Sequence, residues 1–429
     1  MQRTYVKDIQ IGNVFLQGFV HEIRDLAKIK FLLLRDMTGI VQCITKDSKL
    51  FKKFSDIGLE SVVSIKGKAK KANVKFEEAR KDIEIEIDSI ELLSKAENTP
   101  IQVFEKDKTI KTDLSKRLDY RCLDLRKRRN FSIMKIQSKL LEGMQIYLNS
   151  NGFLQVFTPC LMGSSSEGGA EVFKLKYYEK GEAFLRQDPQ LHRQLTILGG
   201  LEKIYDLGPS WRAESSHTTR HLCEHRTIAA EFAFIKDQEE VMKVQEKLVA
   251  EAIKHVINTC KEELNLLDIS LKVPKLPFPR LTFKEAKKAV NSKHKDHELS
   301  TEEEKKLGEY VRKKYKANFF FIHSFPFKLK PFYVFHNKNE AGSVDLYFNN
   351  IELSSGGQRE HRYAIILKNL KEKKLDPKKI EWFTQFFKWG APSHGGFAIG
   401  IERLIHSILS LSHVKEAALF PRDPERLLP

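Results

Sequence analysis

The chain has 429 residues, enough for two or three domains with hydrophobic cores, and its formal net charge of +17 predicts attraction to polyanions such as nucleic acid, unless a lysine-rich genome explains it. Its five cysteines are odd in number and scattered, which argues against a disulfide framework or a paired-cysteine zinc site and favours the cytosol. No apolar run has signal-peptide character or membrane-spanning length, so no membrane role is indicated.

Residues 13–93 alternate short apolar runs with turns, a pattern typical of β-strands. The runs are Val14–Val20, Phe31–Arg35, Ile40–Ile44, Ser61–Ala69 and Ile83–Leu92, with a helical pattern at Lys49–Phe54 after the third. Five strands with a helix after the third predict an OB-type barrel, which binds single-stranded nucleic acid by stacking bases on exposed aromatic rings. Phe19 and Phe31 are candidates for stacking, although a core position explains Phe19 better.

The rest of the chain predicts a mixture of helices and strands behind a polar linker. Helices are expected at Asn130–Asn149, at Gln238–Cys260 and from a capping box at Ser300 and Glu303 to Tyr315, and strands at Phe153–Phe157, Phe319–Ile322 and Tyr363–Ile366. We therefore predict an α+β chain with an OB-fold at residues 1–95, a linker at 96–130 and a catalytic domain at 131–429. A helical insertion is expected at about 236–330 within the last of these.

Two distant segments each combine an arginine with small residues. They are Trp211-Arg212-Ala213-Glu214 and the glycine-rich run Gly395–Arg403. Arginine offers a planar fork of donors that matches phosphate oxygens, and it keeps its charge at any relevant pH. Two such clamps predict a bound nucleotide. The glycines lack the spacing of a P-loop or of a dinucleotide-binding turn, so a different fold is needed.

Together these segments resemble the class II aminoacyl-tRNA synthetases, most closely the aspartyl and asparaginyl branch. Gly152–Pro159 is similar to class motif 1, Trp211–Leu222 to motif 2 and Gly395–Arg403 to motif 3, in the family's order. Ile351–Arg362 and the ending Leu419–Pro429 resemble the aspartyl enzymes. The resemblance covers nearly the whole chain. It implies an antiparallel catalytic sheet flanked by helices, ATP-dependent aspartate–tRNA ligase activity, and a homodimer that charges tRNA(Asp).

The resemblance also implies roles for individual residues at the nucleotide. Arg212 would hold the α-phosphate and Arg403 the γ-phosphate, which makes both catalytic. Carboxylates and a hydroxyl are hard oxygen ligands suited to Mg²⁺. The implied ATP-binding residues are Arg212, Glu214, Arg220, His221, Glu352, Gly400 and Arg403, and the implied Mg²⁺ ligands are Asp345, Glu352 and Ser355.

For the other substrates, the resemblance implies two further groups of residues. Arg359 would bind the side-chain carboxylate of aspartate, and Glu167, on a closing loop, would face its ammonium group. The implied aspartate-binding residues are Glu167, Gln190, Arg193, Ser355 and Arg359, and the implied anticodon-binding residues are His21, Phe31 and Gln42. Histidine at position 21 resembles the relaxed type that charges tRNA(Asn) as well as tRNA(Asp). The alternative is that His21 is only a solvated barrel residue.

Departures from the family pattern lie close to the expected amino-acid site. Asp188 stands in place of serine, Arg193 of lysine, Ala229 of aspartate and Ala398 of glycine, and His225 stands where an aromatic residue is usual. The ATP arginines and metal carboxylates are intact, so adenylate formation is expected while amino-acid choice stays open. Arg193 beside Arg359 predicts a doubly positive pocket that suits a carboxylate better than an amide.

Three other functions stay open beside aspartate–tRNA ligation. An asparagine–tRNA ligase would use the same fold and nucleotide site. A tRNA-binding or regulatory paralogue would keep the barrel without the chemistry. An amidating ligase of the same fold is disfavoured, because such paralogues are expected to lack the barrel.

Overall fold

The computed structural model describes residues 2–26, 28–104, 112–163, 171–215, 218–293 and 297–429. The chain divides into two compact units, Met1–Asp124 and Leu125–Pro429, each with its own hydrophobic core. Within the described ranges, no helix is long and apolar enough to cross a membrane.

The first unit contains a closed five-stranded barrel. Its strands are β1 (Gly12–Leu26), β2 (Ile29–Asp36), β3 (Gly39–Thr45), β4 (Val62–Lys71) and β5 (Ile83–Ser94), with helix α1 (Ser48–Phe54) after β3. The order around the barrel is β1-β2-β3-β5-β4, and only β3 and β5 pair in parallel among these strands. Two short helices, α2 (Leu114–Asp119) and α3 (Arg121–Asp124), end the unit. Strand order and helix position are those that the sequence predicts for an OB-fold.

The predicted core position of Phe19 is wrong. Alternate residues of β1 from Val14 to Val20 point into the barrel, so Phe19 points outward and stays partly exposed. The Arg35 guanidinium lies over its ring, 5.6 Å from the centroid. The alternation then breaks, because the register with β2 shifts between Val20 and Glu22 and leaves His21 as an extra residue.

The second unit is built on a nine-stranded sheet and a smaller three-stranded one. The strands are β6 (Leu154–Val156), β7 (Leu161–Met162), β8 (Lys174–Lys176), β9 (Glu182–Leu185), β10 (Lys203–Trp211), β11 (Glu224–Ala233), β12 (Arg280–Thr282), β13 (Phe319–Pro326), β14 (His336–Asn337), β15 (Glu340–Phe348), β16 (Ile351–Arg359) and β17 (His394–Gly400). The large sheet has the order β12-β13-β15-β16-β17-β11-β10-β6, with β14 paired to β15. Its pairs are antiparallel except at the two edges, β12–β13 and β10–β6. The core of the sheet is therefore antiparallel, as predicted.

Helices cover the sheet and connect its strands. They are α4 (Arg128–Ser150), α5 (Gln190–Leu198), α6 (Gln238–Thr259), α7 (Lys261–Leu266), α8 (Phe283–Ala289), α9 (Thr301–Tyr315), α10 (Tyr363–Glu372), α11 (Glu381–Thr384) and α12 (Ile401–Ile408). Leu140 on α4 and Ile253 on α6 share the main core with Phe397 on β17. The predicted capping box starts α9: Glu303 N–H donates to Ser300 Oγ at 3.3 Å, and Ser300 N–H donates to Glu303 Oε2 at 2.9 Å.

One predicted strand, Tyr363–Ile366, is wrong because these residues begin helix α10. Ile366 and Leu370, four residues apart, are buried on one helix face and share a core cluster with Phe383. A four-residue apolar run is too short to separate a strand from a buried helix turn.

Candidate active site

One face of the large sheet forms the floor of a cavity of about 420 Å³. Asp345, Ser355, Ala398 and Ala229 lie directly opposite one another on the neighbouring strands β15, β16, β17 and β11. Directly paired residues share one face of a sheet, so this row crosses the floor from side to side. Two of the departures noted in the sequence, Ala229 and Ala398, are therefore neighbours, and their small side chains keep the middle of the floor open.

Arginines line one end of the cavity, which we name the nucleotide end. Arg212 follows β10, Arg220 lies in the next loop and Arg403 in the first turn of α12. Burial lowers the pKa of His221, and the nearby Arg403 lowers it further. Burial likewise lowers the pKa of His225 to about 3, with help from Arg212 and Arg403. The histidines are therefore neutral, and the excess positive charge of the arginines suits a polyphosphate.

Backbone carbonyls and one carboxylate hold these arginines. Arg403 donates from Nη1 to the carbonyl of Glu352 and from Nε to that of Arg220, both at 3.3 Å. Arg220 Nη1 also donates to Glu304 Oε2 at 3.1 Å. Arg212 lies 3.9 Å from Glu214, and both side chains are substantially exposed, so this ion pair is weak. Arg212 thus stays available to a ligand.

Two carboxylates face the arginines. Asp345 Oδ2 accepts a hydrogen bond from Lys330 Nζ at 2.8 Å, while Oδ1 is buried without a hydrogen-bond partner among the described residues. Burial and the charge of Asp345 raise the pKa of Glu352 to about 7. Ser355 stands opposite Asp345 and exposes its side chain to the cavity. An orphaned carboxylate oxygen beside a second carboxylate fits a hard cation such as Mg²⁺.

The metal donor set is small. In the ranges that the structure describes, no cluster of three or more His, Cys, Asp and Glu side chains could hold a metal ion. Asp345, Glu352 and Ser355 would therefore share the ion with phosphate oxygens and water, which is the usual way in which proteins bind Mg²⁺ at nucleotides.

The opposite end of the cavity, which we name the amino-acid end, is a closed network of hydrogen bonds. Arg359 donates from Nε to Glu231 Oε1 at 2.9 Å, and from Nη2 to Gln190 Oε1 at 2.9 Å and the Gly396 carbonyl at 3.1 Å. Gln190 in turn donates to Glu231 Oε2 at 3.0 Å. Arg359 and Gln190 line the cavity, whereas Glu231 is fully buried behind them. Arg359 is thereby fixed in one orientation.

Arg193 has a different place from the one predicted. Its side chain is 1% exposed and does not line the cavity. Its Nη2 donates to Asp188 Oδ2 at 2.6 Å and to Gln190 Oε1 at 2.9 Å. The predicted doubly positive pocket is wrong, because Asp188 neutralises Arg193 and Glu231 neutralises Arg359. Two departures from the family pattern, Asp188 and Arg193, are thus one ion pair.

The structure brings most of the predicted catalytic-domain residues together. Glu214 and Arg193 do not line the cavity, and Glu167 lies outside the described residues. The predicted residues that do line the cavity are Gln190, Arg212, Arg220, His221, Asp345, Glu352, Ser355, Arg359, Gly400 and Arg403.

Sequence reasoning assigned no role to three residues that shape the site. Glu231 fixes Arg359, Lys330 binds Asp345, and Glu304 binds Arg220. The period of two along β11 could have indicated Glu231, since it lies on the same strand face as Thr227, which lines the cavity. Nothing in the local pattern singles out Lys330.

His21, the first of the predicted anticodon residues, lies in the barrel with 5% of its surface exposed. Its ring packs against Phe104 at 4.3 Å and Phe76 at 6.0 Å between centroids. Arg35 donates from Nη1 to His21 Nδ1 at 2.9 Å and pairs through Nη2 with Glu60 at 2.7 Å. The alternative of a solvated His21 is therefore wrong.

The other two predicted anticodon residues, Phe31 and Gln42, lie on the outward face of the barrel and are partly exposed. Gln42 Nε2 donates to Glu84 Oε2 at 3.0 Å, which orients its amide across the β3–β5 pair. An outward aromatic ring next to a polar amide is the kind of surface on which single-stranded bases stack.

Comparison with known proteins decides the family. The model for tRNA synthetases class II (D, K and N) matches residues 113–424, and the model for the OB-fold nucleic acid binding domain matches residues 14–93. The chain belongs to the class II tRNA synthetases. The synthetase is 40% identical to the aspartate–tRNA(Asp) ligase of Thermococcus kodakarensis and 37% identical to the aspartate–tRNA(Asp/Asn) ligase of Thermus thermophilus. Both alignments cover 100% of each chain.

Solved structures resemble the synthetase along its whole length. The asparaginyl-tRNA synthetase of Pyrococcus horikoshii, complexed with asparaginyl-adenylate, has a TM-score of 0.90, 32% identity and 100% coverage of both chains. The aspartyl-tRNA synthetase of Entamoeba histolytica has a TM-score of 0.88 and 28% identity, with 100% of this chain and 93% of the other covered. The predicted family and fold class are confirmed. Because both kinds of enzyme share the fold, the choice of amino acid depends on the cavity.

Proposed function

We propose that this synthetase is an ATP-dependent aspartate–tRNA ligase. The observation that carries the proposal is the fixed guanidinium of Arg359 on the wall of the amino-acid end. A carboxylate offers two acceptor oxygens to such a group, whereas an amide offers one acceptor and a mismatched donor. The full-length relatives named as aspartate–tRNA ligases support the same choice.

At the nucleotide end, the chemistry needs positioning and charge neutralisation. The carboxylate of aspartate attacks the α-phosphate in line, pyrophosphate leaves, and the aspartyl group then passes to the 3′ end of tRNA. Arg212 holds the α-phosphate, Arg403 the γ-phosphate, and Arg220 with His221 the outer phosphates. Bound Mg²⁺ would neutralise phosphate charge, held by Asp345, Glu352 and Ser355. Glu214 reads the adenine, and Gly400 completes the ATP site.

At the amino-acid end, Arg359, Gln190 and Ser355 contact aspartate, and Glu167 faces its ammonium group when the loop closes. Arg193 acts indirectly, since its guanidinium fixes Gln190 and Asp188 from behind.

The barrel binds the anticodon, and we propose that the synthetase charges tRNA(Asn) as well as tRNA(Asp). The relatives include ligases named for one tRNA and ligases named for both. His21 is held by Arg35, with Phe31 and Gln42 on the outward barrel face. The test is aspartylation of matched transcripts that differ only at the third anticodon base. Charging of tRNA(Asp) alone would show a strict enzyme.

A homodimer in the cytosol is the proposed working form. Near the open edge strand β6, Leu154, Phe157 and Leu161 are 58%, 83% and 51% exposed, which suits contact with a second copy. All five cysteines are free thiols, as expected in a reducing compartment. Light scattering should give the dimer mass for the wild type and the monomer mass for Phe157→Asp. A monomeric wild type would contradict the proposal.

The decisive experiment is ATP–pyrophosphate exchange with each of the twenty amino acids. We expect the highest kcat/KM with L-aspartate. Exchange with asparagine but not aspartate would identify an asparagine–tRNA ligase, and a complete lack of exchange would favour a tRNA-binding paralogue.

A further inference from the structure

Asp188 is the exposed carboxylate of the amino-acid end among the described residues. Its side chain lines the cavity and is 22% exposed, whereas Glu231 is fully buried and occupied by Arg359 and Gln190. The carboxylates of Asp345 and Glu352 belong to the nucleotide end, where Lys330 and Arg403 surround them. A cationic group that enters the amino-acid end therefore meets Asp188.

The charge and position of Asp188 are both fixed. Burial opposes its ionisation, but the Arg193 guanidinium, assisted by Arg359 and Arg186, outweighs burial and holds the pKa of Asp188 below its usual value. Arg193 approaches at 2.6 Å from the protein interior, and its own side chain is 1% exposed. The carboxylate is thus held in place from behind, as a preorganised binding group should be.

The sheet floor beside this site offers no competing charge. Ala229 and Ala398 are opposite each other there, and neither side chain can bind a cation. Asp188 lies within electrostatic range of Arg359, since Arg359 contributes to its pKa. One fixed carboxylate and one fixed guanidinium on the wall of the same cavity match an α-amino acid that carries an acidic side chain.

We infer that Asp188 binds the α-ammonium group of the amino-acid substrate and that Arg193 is the positioning residue that holds Asp188 in place. The inference rests on the proposed function, because it requires that the cavity binds a free amino acid. The competing explanation is purely structural: Asp188 would only neutralise the buried charge of Arg193.

An analogue that lacks the ammonium group separates these explanations. Inhibition constants for succinate and KM values for L-aspartate are measured by pyrophosphate exchange on the full-length protein. Asp188→Asn should weaken L-aspartate about 10- to 100-fold, the usual cost of losing a charge-assisted hydrogen bond, and leave succinate nearly unchanged. Asp237→Asn is the matched control, because asparagine caps helix α6 as well as aspartate does.

The double variant Asp188→Asn/Arg193→Gln guards against misfolding, because it also removes the buried charge that the single variant leaves uncompensated. It should unfold near the wild-type temperature and still bind L-aspartate weakly. Recovery of wild-type aspartate affinity in the double variant would overturn the inference in favour of the structural role. An equal loss for succinate and L-aspartate, or no loss for Asp188→Asn, would also overturn it.

The outcomes also separate this inference from the proposed function. A wild type that exchanges with neither aspartate nor asparagine would overturn both. A wild type that exchanges with aspartate, next to an Asp188→Asn variant with unchanged KM, would overturn only the role of Asp188.

Discussion

The two ends of the cavity use charge in opposite ways. At the nucleotide end, Arg212 is half-exposed and Arg403 contacts only backbone carbonyls in the contacts described above, so their charges are available to a ligand. At the amino-acid end, Arg359 and Arg193 are each neutralised by a carboxylate of the protein. Available charges supply binding energy and transition-state stabilisation, whereas paired charges fix the shape and orientation of a site. Each prediction below would break or sharpen this comparison.

The largest effect is expected for Arg212→Ala and Arg403→Ala. Each removes a charge that would stabilise the transferring phosphate, so adenylate formation should fall by roughly 10²- to 10³-fold while tRNA binding stays unchanged. Pyrophosphate exchange and filter binding measure the two quantities. Arg226→Ala is the control, because Arg226 is exposed and paired with Glu224 at 2.9 Å. Wild-type exchange in either active-site variant would contradict the nucleotide clamp.

Glu231→Gln tests the amino-acid end. An amide cannot hold the Arg359 guanidinium through two charged oxygens, so the buried arginine loses its orientation. The KM for aspartate should rise about 10- to 100-fold, with little change in the KM for ATP. Glu251→Gln on the exposed face of α6 is the control. An equal rise in both KM values would show that the ends are not separate.

Two glycines of the same motif sharpen the comparison through stability. A Cβ at Gly396 would lie 2.1 Å from the carbonyl oxygen of Ala230, whereas one at Gly400 would meet its nearest neighbours at 3.9 Å. Gly396→Ala should lower the free energy of unfolding by about 1–3 kcal/mol, and Gly400→Ala should change it little. Urea denaturation measures both. Equal effects would contradict the tight packing behind Arg359.

The smallest effect concerns acid sensitivity at the amino-acid end, where His394 is the register partner of Arg359. Burial lowers the pKa of His394 to about 4, so below pH 6.5 the unfolded chain binds a proton that the folded chain refuses. Stability from this histidine is complete above pH 6.5 and is lost as the pH falls towards 4. Between pH 7 and 5, wild type should lose about 2 kcal/mol more than His394→Gln in urea denaturation. Parallel losses would contradict a buried neutral His394.

The nucleotide end could be predicted from the sequence because its residues act singly. Arg212, Asp345, Glu352 and Arg403 each come from a motif whose local spacing fixes a strand or helix start, and all four line one cavity. The barrel was predictable for the same reason, since an alternating apolar pattern specifies strands and their order.

The amino-acid end and His21 could not be predicted, because they depend on pairing across the fold. Counting charges along the sequence adds Arg193 to Arg359, whereas the structure cancels each with a carboxylate. His21 belongs to a bulge, which is a property of the β1–β2 register rather than of either strand alone. The bulge also means that His21→Trp would force an indole between Phe76 and Phe104, so matched tRNA transcripts test anticodon choice better than that variant.

Crossed binding measurements test the division between the two ends most directly. Calorimetry would give the Kd of a non-hydrolysable ATP analogue and the Kd of L-aspartate for wild type, Arg403→Ala and Arg359→Lys. We expect Arg403→Ala to weaken only the nucleotide and Arg359→Lys to weaken only aspartate, with the other Kd within about twofold of wild type, as for independent sites. If either variant weakens both ligands to the same extent, the cavity is one coupled site and the account is wrong.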